Sequence, residues 1–242
     1  MSAATAWPEG PRAQRLAGNR LHLAHGPIDL VIGAFGPAAA VERAYRAAET
    51  AFDGLLDSLV AGQPVGNADG LPATAQRMQA ATAPLADRFV TPMAAVAGAV
   101  ADTVIAAIRA VPGIERAFVN NRGDIAVHLA PGQVIDIGVV PELRRPLATA
   151  SLRLRHDQRI GGVATSGWDG RSLSLGIADA VTVLAAGAAQ ADAAATLIAN
   201  AVDVDHPAIQ RRPATELDPD SDLGERLVTT AVGPLDDEAV AQ

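Results

Sequence analysis

The sequence predicts an α+β fold, a central antiparallel or mixed sheet flanked by helices, and three observations carry that prediction. Short stretches of period-two alternation lie between glycine, proline and asparagine turns. Long alanine-rich runs repeat their apolar residues at three and four. No linker or internal repeat divides the chain, so one domain over residues 20–236 is expected, with a flexible segment 1–19 before it and a tail 237–242 after it.

Taken in order, RLHLAHGPIDLVIGAFG (residues 20–36) alternates and breaks at Gly26 and Pro27, which predicts a hairpin. Val41, Ala44, Tyr45, Ala48, Phe52, Leu55, Leu56 and Leu59 then share one helical face, introduced by Pro37 and ended by Gly62 and Pro64. Residues 63–85 read as a loop, one able to cover a site, followed by a short helix around Ala75–Ala81. TPMAAVAGAVADTVIAAIRAVPG (residues 91–113) is small and apolar on every side and predicts a buried helix from near Pro92 to before Pro112. ERAFVNNRGDIAVHL and QVIDIGVVPEL supply strands around a turn at Asn120–Gly123, and TASLRLRH with QRIGGVATSG supplies two more, for a sheet of at least four strands. Val181–Ala185 adds a strand, residues 188–202 a helix, and LVTTAVGPL a last strand.

Composition bounds the function. The chain has 242 residues, 49% of them hydrophobic and 19% charged, which is enough to bury a sizeable core. A net charge of −8 and a pI near 5.0 argue against nucleic acid as a partner. Without cysteine there are no thiolate nucleophiles or Cys-built zinc sites, and without lysine there is no Schiff base. The five scattered histidines form no ligand motif, so a metal would be held by oxygen. The first twenty residues lack an apolar core of signal-peptide length and no later run reads as a membrane span, so a cytoplasmic protein is expected.

The run from Gly161 to Asn200 concentrates the chemistry. Asp192 and Thr196 stand four apart in an apolar helix, which sets a carboxylate and a hydroxyl one turn apart on one face. That pair suits a metal site, and equally a helix-dipole partner with a back-bonded hydroxyl. Asn200 is read as a cap of the helix end in preference to an extension of its polar face. Asp179, beside an apolar strand, is either catalytic or bonded to a turn. Arg171 is either an anion clamp or a surface ion pair. Trp168 could stack on a ring or cover the core edge. DPDSDLG (residues 218–224) opens like a calcium loop, but Leu223 and Thr229 stand where that loop needs glycine and glutamate.

NNRGDIAVHL, IGGVATSG, GIADAVTV and ADAAAT, in this order and spacing, resemble the FAD:protein FMN transferases of the ApbE family. TPMAAVAGAVAD, GWDGRSLSLGIADAVTVLA and IANAVDVDHPAIQRRPATELDPDSDLG are more closely similar to the UPF0280 family, which is related to ApbE. The second resemblance spans most of the chain from about Gly26, the first roughly its second half. The ApbE resemblance implies a single α+β domain with a FAD pocket and Mg2+, and a transferase that moves FMN from FAD onto a threonine of an acceptor protein, releasing AMP. It implies Asp192 and Thr196 as metal ligands, Asp124 at the flavin end, and Thr165, Ser166 and Gly167 as a phosphate-holding turn, with Gly98 retained from the cofactor-binding helix.

Three departures mark this chain. Ala97 stands where ApbE has a cofactor-contacting lysine; Gly176 stands where it has a histidine, although Asp179 is kept as the catalytic candidate; and Arg122 and Arg171 are additions that could supply the lost anion contact. Three readings stay open: a Mg2+-dependent flavoprotein acting as an FMN transferase on FAD or another pyrophosphate-linked nucleotide, a non-catalytic flavin- or nucleotide-binding accessory protein, and a different reaction on a pterin-like or nucleotide substrate.

Overall fold

The computed structural model describes residues 10–61, 70–139 and 150–241. The loop expected from residue 63 therefore lies outside the described residues as far as 69, as does the end of the strand expected over QVIDIGVVPEL.

The chain opens with three strands in a meander, β1 (Arg12–Leu16), β2 (Arg20–His25) and β3 (Ile28–Phe35), so a strand occupies part of the segment expected to be flexible. Two helices follow, α1 (Ala38–Phe52) and α2 (Leu55–Ala61), where the sequence reading has one. Asp53 is extended and Gly54 sits at φ +66, a left-handed angle that glycine adopts freely and that stops α1. After α3 (Ala73–Thr82), a 3₁₀ turn at Pro92–Ala95 leads into α4 (Val96–Arg109), where proline fits because its missing N–H falls among the unpaired donors of a first turn. Then come β4 (Arg116–Asn121), β5 (Asp124–Leu129), β6 (Val134–Val139), β7 (Ala150–Arg155), β8 (Gly162–Ser166), β9 (Val181–Ala185) and α5 (Ala188–Ala201). β10 (Ile209–Pro213), α6 (Ala214–Leu217), β11 (Leu227–Val232) and α7 (Asp237–Val240) complete the described chain. The sequence reading misses β10, whose IQRRP lacks apolar alternation.

A seven-stranded sheet runs in the order β1-β2-β3-β4-β5-β8-β9, antiparallel from β1 through β8. It meets the expectation of at least four strands. β6 and β7 leave it and pair with each other, because β5 has β4 on one side and β8 on the other, with Ile125 opposite Val163. β10 and β11 form a second separate pair, with a bulge between Gln210 and Arg211.

The described residues form two compact units where one domain is expected. The first takes in the residues up to Asp136 with Arg153–Ala164 and Leu184–Ala193; the second takes in those of Ile137–Leu152, Thr165–Val183 and Ala194–Gln242. In the first unit, Leu21, Leu23, Leu30, Ile32 and Val119 point from one sheet face onto Tyr45, Ala48 and Phe52 of α1 and Val100, Val104 and Ile108 of α4. Burying each large apolar side chain contributes about 1.5–3 kcal/mol, which fixes these helices on the sheet. Pro92–Arg109 has the length and apolarity of a membrane span at mean hydropathy 1.4, a match that the sequence reading does not credit, and here its apolar residues fill this core.

Candidate functional site

α4 and α5 both begin without a capping side chain. Ala95 occupies the N-cap of α4 and makes no side-chain cap bond, and Gly187 precedes α5. The first N–H groups of a helix need acceptors, and an alanine or a glycine offers none from its side chain. Each helix takes its acceptor from the other. Asp192 on α5 accepts from the Gly98 N–H at 3.0 Å and also from the Ala97 N–H, the donors that a normal cap would engage. Asp102 on α4 accepts from the Ala188 N–H at 3.0 Å and the Ala189 N–H at 2.9 Å. Asn121 completes the arrangement by donating to the Ala97 carbonyl at 3.1 Å.

Gly98 makes this exchange possible. A Cβ there would run into the backbone of Ala188 and Ala189, so the two helices touch main chain to main chain at this point. Gly162 plays the same part on the sheet side, where a Cβ would meet Gly187 and Ala188. The structure thus joins Gly98 to Asp192 and gives Gly98 a packing reason of its own.

The two carboxylates differ in what balances their charge. Burial pushes Asp192 up to about 7, against the lowering effect of the Gly98 and Ala97 N–H groups, and no basic side chain among the described residues contributes. Asp102 is also raised by burial, but Arg77 and Arg109 act with the Ala188 and Ala189 N–H groups to hold it down. Asp102 went unremarked in the sequence reading. Its signal was an acid in an otherwise apolar helix facing a second helix with no cap of its own. Asp102→Ala is expected to cost about 1–3 kcal/mol in chemical denaturation, because both N–H groups lose their acceptor in a half-buried setting. Asp102→Asn should recover part of the loss by keeping one acceptor oxygen.

Asp124 opens β5 opposite Asn121 and is half-buried. Arg122 and Gly123 form the turn before it with φ of +56 and +120, and the Gly123 N–H is held by the Asn120 side chain at 2.7 Å. Arg122 reaches Asp29 at 3.4 Å, and Asp29 also meets His22 at 3.1 Å, so the guanidinium proposed for an anion contact has an acidic partner.

In the second unit the turn after β8 closes on itself. Thr165 and Thr182 share a hydrogen bond of 2.9 Å between hydroxyls. Gly167 packs against the Asp179 carbonyl with no room for a Cβ, and the Trp168 N–H donates to the Ala178 carbonyl at 3.0 Å. The Gly170 N–H goes to Gly167 at 3.1 Å. The N–H groups of 168 and 170 thus already have acceptors. Asp179 is exposed and accepts from the Trp168 indole N–H at 3.0 Å. Arg171 is exposed, and Ser166 half-buried.

Asn200 does not cap its helix. Its side-chain oxygen accepts from the Leu175 N–H at 2.9 Å and the Ser174 hydroxyl at 3.2 Å, and so holds the 174–176 turn. Gly176 in that turn lies against the carbonyls of Ala199 and Val202. A histidine could not stand there without displacing the end of α5, which gives the departure at this position a steric cause.

Thr196 lies one turn beyond Asp192 on α5 and is half-buried. Among the described residues no group of three or more His, Asp or Glu converges in the manner of a protein-only metal cage. Magnesium does not need one, because it is commonly held by one or two carboxylates together with water and substrate phosphate. A desolvated carboxylate without a cationic neighbour is a fitting ligand, since a divalent ion would replace the proton that burial favours.

Comparison with known proteins agrees with the motifs. The model of the family described as AbpE bacteria matches residues 12–242. A UPF0280 protein of Methanopyrus kandleri is 39% identical over 61% of this chain and 58% of its own length. A UPF0280 protein of Methanocella arvoryzae is 36% identical over 69% and 63%, and one of Methanocaldococcus jannaschii is 42% identical over 46% and 45%. The chain therefore spans roughly half to three-fifths of the length of these relatives. Among solved structures, the apo flavinyl transferase ApbE of Pseudomonas stutzeri aligns at TM-score 0.40 and 16% identity, over 78% of this chain and 84% of that one. With its family model running from β1 to the C-terminal end, and with UPF0280 proteins among its relatives, this chain belongs to the AbpE bacteria family.

Proposed function

We propose that this protein is a magnesium-dependent flavin- or nucleotide-binding enzyme related to ApbE, which takes FAD and transfers FMN to a threonine of an acceptor protein. The observation that carries the reading is Asp192: a carboxylate pushed up to about 7 by burial, without a cationic partner among the described residues, one helical turn from a hydroxyl. Membership of the AbpE bacteria family supports it.

Asp192 and Thr196 would hold Mg2+, which when bound supplies charge neutralisation at the pyrophosphate. Asp124 would hold the flavin end, with Gly98 keeping the helix backbone close beside it. In the transfer, the threonine oxygen bonds to the FMN-side phosphorus, the bond to the bridging oxygen breaks, and AMP leaves with that oxygen. Asp179, exposed and with its Oδ1 fixed by the Trp168 indole, is the candidate acceptor for the hydroxyl proton.

A second reading, ligand retention without turnover, is favoured by the closed turn at 165–170 and by the absence of a side chain at Gly176. One incubation separates the two. Purified protein given FAD, Mg2+ and a threonine-bearing acceptor is expected to release AMP and attach flavin covalently. A retained flavin absorbance band with no AMP or FMN released, with or without acceptor, overturns the transferase reading. Loss of the band as well, with an adenine-like absorbance in its place, points to a different nucleotide substrate.

A further inference from the structure

The first unit holds a cleft of about 140 Å³ whose wall includes Arg77 of α3, Arg109 and Asp102 of α4, and the glycine backbone of Gly161 and Gly187. On a chain of net charge −8 this is a local gathering of positive charge. Arg77 and Arg109 are both exposed, and both act on Asp102 from outside hydrogen-bond range. His128 shows the same field: burial lowers its pKa first, and Arg109 and His156 lower it further by like-charge repulsion.

The carboxylate in the wall offsets only part of this field, one negative charge against two guanidinium groups. Asp102 turns one oxygen to the Ala188 N–H at 3.0 Å and the other to the Ala189 N–H at 2.9 Å, so both oxygens are engaged at the start of α5 and neither forms an ion pair with a guanidinium among the described residues. Those N–H groups are in turn closed to a ligand, and the site is one of guanidinium groups over a glycine-walled cleft. Guanidinium offers forked donors that match the oxygens of phosphate. The volume admits a tetrahedral oxyanion and leaves an attached group outside.

We infer that the cleft between Arg77 and Arg109 is a binding site for a phosphate-class oxyanion, either free inorganic phosphate or the terminal phosphoryl group of a nucleotide. The residues that line it include none of those assigned to FAD and Mg2+, and it does not depend on that assignment. Its occupant adds a ligand to the same two helices that Asp102 and Asp192 lock together.

The test uses the full chain in EDTA, so that metal-mediated phosphate binding makes no contribution. Calorimetric titration with inorganic phosphate and with AMP, each against chloride at matched ionic strength, is expected to show saturable binding. Arg77→Ala and Arg109→Ala should each weaken it by tenfold or more, with the fold retained by circular dichroism in the absence of phosphate. Tighter binding of AMP than of phosphate assigns the site to a nucleotide, and equal or weaker binding assigns it to the free anion. Absence of a saturable response in the unaltered protein overturns the inference, and so does unchanged affinity in both arginine variants.

Discussion

Asp192→Asn is expected to make the protein more stable above pH 7 while removing its stabilisation by magnesium. The sign follows from the direction of the shift. The folded state raises Asp192 from 3.8 to about 7, so between these values it holds a proton that the unfolded chain has released. Stability contributed by this group is therefore complete below about pH 4, declines as pH rises toward 7, and is flat above. Three pH units correspond to about 4 kcal/mol as an upper bound. Asparagine is neutral throughout, and its carbonyl still accepts from one of the two α4 N–H groups. The difference between variant and unaltered protein, measured by urea unfolding across pH 4–8, should grow through this window and then level off. Magnesium should raise the melting temperature of the unaltered protein at pH 8 by mass action and leave the variant unmoved. A difference that stays constant from pH 4 to 8 contradicts the uncompensated burial of Asp192, and an equal magnesium response in both proteins removes it as a ligand.

Gly98→Ala should be strongly destabilising. Alanine is the better helix former by about 1 kcal/mol, so propensity alone predicts stabilisation. Packing predicts the reverse, because the new Cβ would overlap backbone atoms of Ala188 and Ala189, which have no side-chain freedom with which to yield. Relief requires α4 and α5 to separate, and separation breaks the bonds from Gly98 to Asp192 and from Ala188 and Ala189 to Asp102 together. A loss of about 3 kcal/mol or more is expected in denaturant unfolding, with weakened magnesium stabilisation following from the displaced Asp192. Unchanged or increased stability would show that the helices do not meet main chain to main chain at this point.

These two substitutions also mark where the sequence was legible. Periodicity placed the β2–β3 hairpin, α3, α4, the β4–β5 turn, β9, α5 and β11, because each has a strong local pattern of one period. The single helix read through Phe52 and Leu55 was wrong because both sides of Gly54 keep the apolar face in phase, and only the backbone angle at Gly54 ends α1. Asp192 stood out as an acid in an apolar run. Asp102, an acid in an equally apolar run, did not, because its purpose is visible only when α5 begins against it. Asn200 was read as a helix cap because the turn it holds, at Ser174 and Leu175, lies twenty-five residues away in the chain.

By itself, the sequence determined the α+β class, the positions of most strands and helices, and the motifs that mark the family. Those are properties of short segments, where alternation, capping residues and turn glycines act over a few positions. The tertiary structure decided how β5 was shared, so that β6 and β7 pair apart, and how the described chain divides into two compact units. It also decided the state of the two half-buried acids, Asp102 and Asp192. Each carboxylate is anchored to a helix distant in sequence, and its charge depends on how much water that packing excludes and on which arginines it brings near, which no spacing within a single helix specifies.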